Sequence, residues 1–573
     1  MDDTNKRVIV AFAVSFAILM VWKFAFPPPE PPASPSKAPA AAQTQPAAPK
    51  PDTTPAPPSG KTTVPRAAAK LAPAAPVELP VQQGKKAEEI VIENDAARVT
   101  LSTEGAVVKS WILRKFRDEK GEPLDVVNRA ACETLGFPLS LKLSDEEMTT
   151  KLNSALFVAT PEGPTLKAPT KLELVYSDGK VQARKVLSFG PAYEVHVEAS
   201  VTDGQRFLPV EVAWPGGFGD QSLAPQAKAA LDRVLYGGAE KFENVVQRKV
   251  EEERTIPGPF EIAGMDDRYF LNVFLPDAPD QVFFRVSRRT WNPPEWKEKE
   301  PPKETTAALG TQQTKPLAFR LFVGPKDLDV LRSVNPPLDH VVDFGWFSFV
   351  AKPLFLVLRY IHDHWIQNYG WAIVLLTIII NLAMFPLRLK QIRSAQEMQR
   401  VAPIVKGIQD KYKQYKFNDP RKQKMNQEIM KLYQEHGINP LGGCLPMVIQ
   451  LPFLYGFYRV LDLSIELRHA PWIGYIKDLS APDHYYVLLA VMIITMFVLQ
   501  RMTPMTTADP MQQRMFMIMP IFFGVMFYRV ASGLVLYWMT SNCVQIGQQV
   551  FINRMIPRPS PVPAPRKAAG AKE

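Results

Sequence analysis

The sequence of 573 residues predicts an α-helical polytopic membrane protein with six transmembrane helices and an additional all-β domain. Three observations carry that prediction. Apolar residues gather into six nearly continuous runs, at 8–26, 371–387, 441–460, 485–499, 515–528 and 533–552. The region between the first two runs holds many short segments rich in branched residues that end in turn signals. Basic residues are spread unevenly over the connecting loops, as they are when loops alternate between two sides of a membrane. The mean hydropathy of −0.09 hides all of this, because it averages apolar runs with polar segments.

A bilayer core about 30 Å thick needs roughly 20 helical residues to cross it. Most of the six runs meet that length. The runs at 485–499 and 515–528 are short, so flanking residues or a locally thin membrane must contribute. Residues 1–26 read as an uncleaved signal anchor. Lys6 and Arg7 precede the apolar run, which ends Trp22-Lys23-Phe24-Ala25-Phe26 with no small-x-small cleavage site. A cleaved signal peptide is the alternative. Residues 27–84 read as a disordered tether: 17 prolines fall within residues 27–80, amid Ala, Lys, Thr and Gln, and such a composition cannot bury a core.

Residues 85–335 read as a β-sandwich. Segments 90–93, 98–102, 107–116, 172–176, 181–187, 195–201, 282–286 and 319–323 carry the strand pattern. Ser177-Asp178-Gly179-Lys180 supplies a hairpin turn between two of them. Residues 344–369 differ. Leu354, Leu358, Ile361 and Trp365 recur at helical spacing among charged residues, which predicts an amphipathic helix in the membrane interface. A helix packed on the sandwich is the alternative.

Charge sets the orientation. Residues 388–440 hold twelve basic and five acidic side chains, so this segment is predicted to be cytoplasmic. The loop 464–484 carries Arg468 and Lys477 against Glu466, Asp478 and Asp483, and is predicted to lie outside. Residues 501–514 and the basic tail 557–573 then fall inside. Counting back places the β domain outside and the N-terminus inside. The formal charge of +10 is therefore largely a topology signal, and nucleic-acid binding is not needed to explain it. Residues 388–438 predict a helical hairpin, with Val401, Val405, Ile408, Tyr412 and Tyr415 facing Met425, Ile429, Leu432 and His436. Asn418-Asp419-Pro420 offers a cap and a first-turn proline between the two helices. A basic helix resting on anionic lipid is the alternative reading.

Polar groups inside the spans need a reason, because each uncompensated one is costly in hydrocarbon. The second run carries Thr377 and Asn381 one turn apart. The third carries Gln450. The last carries Tyr537, Thr540, Ser541, Asn542, Gln545, Gln548 and Gln549. Each could serve helix–helix hydrogen bonding alone; together they predict a hydrated cavity. No run has a carboxylate at its centre, as an ion relay would require. No metal-ligand spacing, no nucleophile–base motif and no phosphate-binding glycine loop is present, so neither cofactor nor catalysis is expected. The cysteines, Cys132, Cys444 and Cys543, form no disulfide framework.

The last five runs resemble the YidC/Oxa/Alb insertase family. The resemblance rests on Gly370-Trp371 to Pro386-Leu387, on Asn439-Pro440-Leu441-Gly442-Gly443-Cys444-Leu445-Pro446 with Gln450 and Pro452, and on Ser532 to Trp538 with Ser541-Asn542 and Gln548-Gln549. With the N-terminal anchor and large β domain, the chain is similar to the Gram-negative long form. That resemblance implies a five-helix insertase core at 370–556 with a hydrated groove open to the cytoplasm. It implies a periplasmic β-supersandwich similar to sugar mutarotases. It also implies partners: nascent membrane proteins, the ribosome, the Sec translocon and the lipid bilayer, with no small-molecule substrate. Thr377, Tyr537 and Asn542 fall on family groove positions, and Trp538 stands where a second tyrosine is common. The family's groove arginine is matched here by Asn381; Arg529, from another helix, is the candidate to replace its charge. Two other functions stay open. A transporter or channel would show repeated halves or a charged mid-membrane site. A membrane-anchored periplasmic carbohydrate-binding protein or sugar enzyme would show His and carboxylate pairs in the β domain.

Overall fold

The structure, a computed structural model, describes residues 79–555 except 205, 223–231, 239, 251–252, 294–295, 297–300, 416–418, 439–444 and 504–509. The expected signal anchor, the first six residues of the Asn439–Pro446 motif and the basic tail lie outside the described residues. So does most of the expected tether. Its last six residues, 79–84, are held by the β domain: Leu79 N donates to Gly179 O, Gln82 N to Ser177 O and Gly84 N to Leu156 O, at 2.9–3.0 Å.

Among the described residues the β region forms three sheets. The largest runs from Phe242–Val246 through Arg233–Gly237, Ile262–Asp266, Phe270–Pro276, Leu317–Pro325, Glu194–Asp203, Val181–Phe189 and Thr170–Ser177 to Val158–Thr160, with Arg206–Leu208 pairing beside Glu194–Asp203. Two five-stranded sheets are built around Val107–Arg117 and around Val282–Thr290 with Lys303–Thr311. Trp111, Trp214, Phe157, Phe218, Phe274 and Phe319 fill the interior. The expected hairpin is present. Thr170–Ser177 pairs antiparallel with Val181–Phe189, Gly179 adopts a φ of 93°, and Asp178 Oδ1 accepts from Lys180 N and Val181 N. One buried cation stands out. Lys185 donates from Nζ to the carbonyls of Gly105, Ala106 and Leu139 at 2.7–2.9 Å, and all three of those residues hold positive φ. Three N–H groups meet three carbonyls, so the ammonium ties two otherwise strained turns to the sheet.

Among the described residues from 348 onward the main elements are helices: α1 (Ser348–His364), α2 (Tyr369–Ala383), α3 (Phe385–Lys411), α4 (Pro420–Glu435), α5 (Leu445–Leu463), α6 (Val487–Met502), α7 (Pro510–Phe527) and α8 (Ser532–Met555). In α1, Leu354, Leu358 and Ile361 are buried as the spacing predicts. Trp365 is not: it follows the last turn and is 62% exposed. The buried face of α1 packs on α5, where Gly456 lets Val350, Ala351 and Leu354 approach closely. α3 and α4 form the expected hairpin around Val401, Val405, Ile429 and Leu432, and the Tyr412 hydroxyl donates to Glu428 at 2.7 Å. Asp419 caps α4, accepting from Arg421 N, with Pro420 in the first turn.

Six uninterrupted spans do not emerge. Among the described residues no single helix is long and apolar enough to cross a membrane. α2 and α3 together meet that test but bend by 57° at their junction, and α6 and part of α7 are shorter apolar helices. The physical reason is local. α5 carries Pro452, Arg459 and Asp462, α7 carries Pro520, and α8 is studded with amides and hydroxyls, so length and hydropathy do not coincide. The β region is keyed to the C-terminal end of α5. Arg268 Nη2 meets Asp462 Oδ1 at 2.7 Å, and Arg468, just past α5, pairs with Asp220.

Candidate functional site

α8 packs between α2 and α6 and also touches α5. Its amides sort by face. Ser541, Gln545 and Gln548 follow one another by four and three positions, which sets them on one side of the helix. All three reach Asn381 of α2: Ser541 Oγ and Gln545 Nε2 donate to Asn381 Oδ1 at 3.3 and 3.4 Å, and Gln548 Nε2 donates to the Asn381 carbonyl at 3.0 Å. Gln545 Nε2 also donates to Ser541 Oγ at 2.9 Å, and Asn381 Nδ2 to Thr377 O at 2.9 Å. The bonds between the side chains of the two helices are long, so each is weak.

Beside this network lies a cavity of about 310 Å³. A water molecule takes about 30 Å³ of liquid, so several waters fit. Asn381, Gln450, Tyr537, Gln545, Gln548 and Gln549 all line it, together with apolar groups such as Ile380 and Phe453. The space is large enough for several waters and has polar groups to hold them. It is a cleft of hydrogen-bonding groups on one side and hydrocarbon on the other, with Arg388 as its one formally charged lining residue among the described residues.

Other expected groove residues stand elsewhere. Thr377 is fully buried and donates to Ile373 O at 2.6 Å within its own helix. Ser541 adjoins the cavity only through Asn381 and Gln545. Asn542 turns to α6, donating to Thr495 Oγ1 at 3.2 Å and Met492 O at 3.5 Å. Trp538 packs on Phe523 and Phe527 of α7, with ring centroids 5.3 and 5.0 Å away. Arg529 is exposed in the turn between α7 and α8, with its guanidinium 5.2 Å from the Tyr528 ring, and does not reach the cavity. Tyr537 does, with its ring stacked on Phe457 of α5 at 4.3 Å.

Three polar lining residues lay outside the sequence expectation: Arg388, Gln391 and Thr503. Arg388 counted there as a loop charge. Its signal was spacing, because it follows Asn381 by seven positions, two helical turns along one face. The amide of Met384 still donates to Ile380 O across the bend, and Arg388 N donates to Met384 O at 3.1 Å, so the face continues. Among the described residues no group of three His, Cys, Asp or Glu side chains is placed to hold a metal.

The chain has clear relatives. A family model for the 60Kd inner membrane protein matches residues 360–559, and one for the YidC periplasmic domain matches residues 89–357. A protein of Syntrophus aciditrophicus (strain SB) named membrane protein insertase YidC is 31% identical, covering 96% of this chain and 99% of its own length. Its namesake in Geotalea daltonii (strain DSM 22248 / JCM 15807 / FRC-32) is 33% identical over 96% of this chain and 100% of its own. The chain belongs to the YidC family. A crystal structure described as active YidC insertase with the first transmembrane domain resolved is 20% identical, with a TM-score of 0.34, and covers 82% of this chain and 94% of its own. The YidC relatives are named for insertion and not for an enzymatic reaction. YidC membership makes this an inner-membrane protein whose β region, matched from residue 89, is the periplasmic domain.

Proposed function

We propose that this chain is a membrane protein insertase that moves nascent membrane proteins from the cytoplasm into the inner membrane, alone or with the Sec translocon. The single observation that supports it best is the cavity in which Asn381, Gln450, Tyr537, Gln545, Gln548 and Gln549 converge. A client's hydrophilic flank must cross an apolar slab, where each unsatisfied polar group costs several kcal/mol. Amides and water along the cavity hydrogen-bond that flank partway over. The weak bonds of Ser541 and Gln545 to Asn381 are exchanged for bonds to the client at small cost. The client's apolar segment then moves sideways into lipid, and its burial drives the step without a nucleotide. The short apolar stretches of α6 and α7 thin the bilayer nearby and shorten the remaining path.

The rest of the chain fits around that core. The first apolar run anchors the N-terminus, the spans number six, and both termini face the cytoplasm. The β region is a β-supersandwich, and α1 lies in the interface with its Phe349 and Tyr360, and Trp346 just before it, exposed toward headgroups. The basic α3–α4 hairpin receives the client and, with the basic tail, meets the ribosome. The test is photo-crosslinking from probes at Asn381, Gln450 and Gln545 to ribosome-stalled nascent chains. Crosslinks confined to the period when the client's flank is crossing are expected. Their absence, with crosslinks from lipid-facing positions such as Ile494 and Val525 instead, would remove the reading.

A further inference from the structure

Three helices that wall the cavity also have backs, and the backs share a pattern. On α6, Val491, Ile494, Val498 and Arg501 follow one another by three, four and three positions, which sets them on one face, and all four are exposed, Ile494 to 60%. Leu499, which lines the cavity, lies on the other side of that helix. On α8, Gly547, Phe551 and Arg554 form an exposed stripe opposite Gln545 and Gln549, with Phe551 53% exposed. On α3, Pro386, Lys390 and Arg393 form one opposite Gln391 and Ala395. Each stripe ends in basic side chains that point away from the cavity, at the end that the insertase reading places inside.

Among the described residues none of Lys390, Arg393, Arg501 and Arg554 makes an ion pair, while Glu397, next on the α3 stripe, lies 3.7 Å from Arg400. What stands beside them decides their partner. Val498 precedes Arg501 by one turn, and Phe551 precedes Arg554 by one turn, so an exposed apolar group and an exposed cation share each stripe. The 57° bend after α2 turns Lys390 and Arg393 off the axis of that helix. A ribosomal RNA surface would meet the cations but leave Val498 and Phe551 in water. An anionic phospholipid meets both: its acyl chains cover the apolar groups, and its phosphate takes the guanidinium or ammonium that reaches up to the headgroup layer.

We propose that Lys390, Arg393, Arg501 and Arg554 form an outward-facing belt that binds the headgroups of anionic phospholipids in the inner leaflet around the cavity. The belt holds the inner ends of α3, α6 and α8 at one depth, so that the cavity opens at the headgroup layer. The inference rests on the insertase reading for the direction in which the cavity opens, and it adds the lipid that surrounds it.

The experiment places the full chain in phosphatidylcholine vesicles with a trace of spin-labelled phosphatidylglycerol or of spin-labelled phosphatidylcholine. Electron paramagnetic resonance reads the fraction of each label immobilised on the protein. The unaltered chain is expected to hold the phosphatidylglycerol label better, and raised salt to shrink the difference. Lys390→Gln, Arg393→Gln, Arg501→Gln and Arg554→Gln are each expected to lower that preference by up to about fivefold, and together to abolish it. Arg501→Lys and Arg554→Lys keep the charge and should keep the preference, which separates lost charge from lost fold. Lys406→Gln, farther out on α3, is expected to leave it unchanged. Equal immobilisation of the two labels by the unaltered chain would overturn the proposal. So would a matching loss in Lys406→Gln, which would assign the preference to overall charge. An intact preference in the fourfold variant, with ribosome binding lost instead, would overturn it and assign the patch to RNA. The insertase reading fails on a different measurement: absent crosslinks from Gln450 and Gln545 to a nascent chain would remove that reading and leave the lipid preference standing.

Discussion

Asp220 of the β domain and Arg468 of the loop after α5 form an ion pair whose side chains are only 5% and 3% exposed. The pair is embedded. Asp220 N donates to Asp267 Oδ2 at 2.7 Å, Asp220 Oδ1 accepts from Ser222, and the Arg468 guanidinium lies 5.6 Å from the Phe270 ring. Breaking such a pair from one side strands the other charge in a low dielectric. Arg468→Ala is therefore expected to destabilise the junction by about 3–5 kcal/mol, measured by denaturant unfolding of the detergent-solubilised chain. Adding Asp220→Ala to it is expected to cost no more than about 1 kcal/mol further, because the stranded charge is gone.

Lys185 gives the β domain a pH dependence. Burial pushes its ammonium down to about 7, while the carbonyls of Gly105, Ala106 and Leu139 hold the proton in place against that pull. In the unfolded chain the group binds its proton up to about pH 10.4. Between those values the unfolded state holds more protons, so this group's contribution to stability rises with pH from about 7 to about 10 and is flat below 7. Lys185→Met is expected to abolish that slope and to cost about 3 kcal/mol at neutral pH by orphaning three carbonyls. Equilibrium unfolding across that pH range, followed by tryptophan fluorescence of the full chain, checks both.

Glu466, in the loop after α5, behaves in the opposite sense. Burial raises its carboxyl to about 7, Asp327 and Asp329 add to the rise, and Arg359 opposes it. Its Oε1 has no partner. Because the folded state keeps this proton to higher pH than the unfolded state does, its contribution to stability is full below about pH 4.3 and is lost as pH rises through 7. Glu466→Gln is expected to stabilise the chain by about 2 kcal/mol near pH 8 and to have little effect near pH 5. A thermal-shift series over pH reads this directly.

The α2–α8 amides separate structure from transport. Asn381→Leu removes an acceptor that takes two long bonds, so its effect on stability is expected to stay near 1 kcal/mol. Insertion of clients with long hydrophilic flanks is expected to fall roughly tenfold, while clients with almost no flank are inserted normally. A parallel loss for both kinds of client would show that Asn381 only holds the helices together.

What the sequence made legible was local. The Asp178-Gly179 turn, the Asp419-Pro420 cap and the buried stripe Leu354, Leu358, Ile361 rest on spacing and turn chemistry within a few residues, and all three are present. Phe270–Pro276 was not visible as a strand, because it is buried on both faces and shows no alternation. Lys303–Thr311 was hidden by its alanine and glycine content, which favours strands only once neighbouring sheets cover it. The pairing of Glu194–Asp203 with Leu317–Pro325 spans more than a hundred residues and leaves no local mark. In the cavity, residue type pointed to polar groups on α2, α5 and α8, but the facing of each depends on helix rotation. So Gln545 and Tyr537 reach the cavity, whereas Asn542 and Trp538, one position from Ser541 and Tyr537, turn away. Arg388 was misplaced because counting it as loop charge took no account of a helix that continues past the bend.

That bend has a mechanical consequence. From Arg388 to Lys411, α3 runs about 35 Å, at 1.5 Å per residue. Rotation by about 10° at the Met384 joint would sweep the hairpin tip through about 6 Å, while the pivot end barely moves. A load held far out on the arm could thus change position without disturbing the side chains at the fulcrum, and a slight shift at the fulcrum would be magnified at the tip.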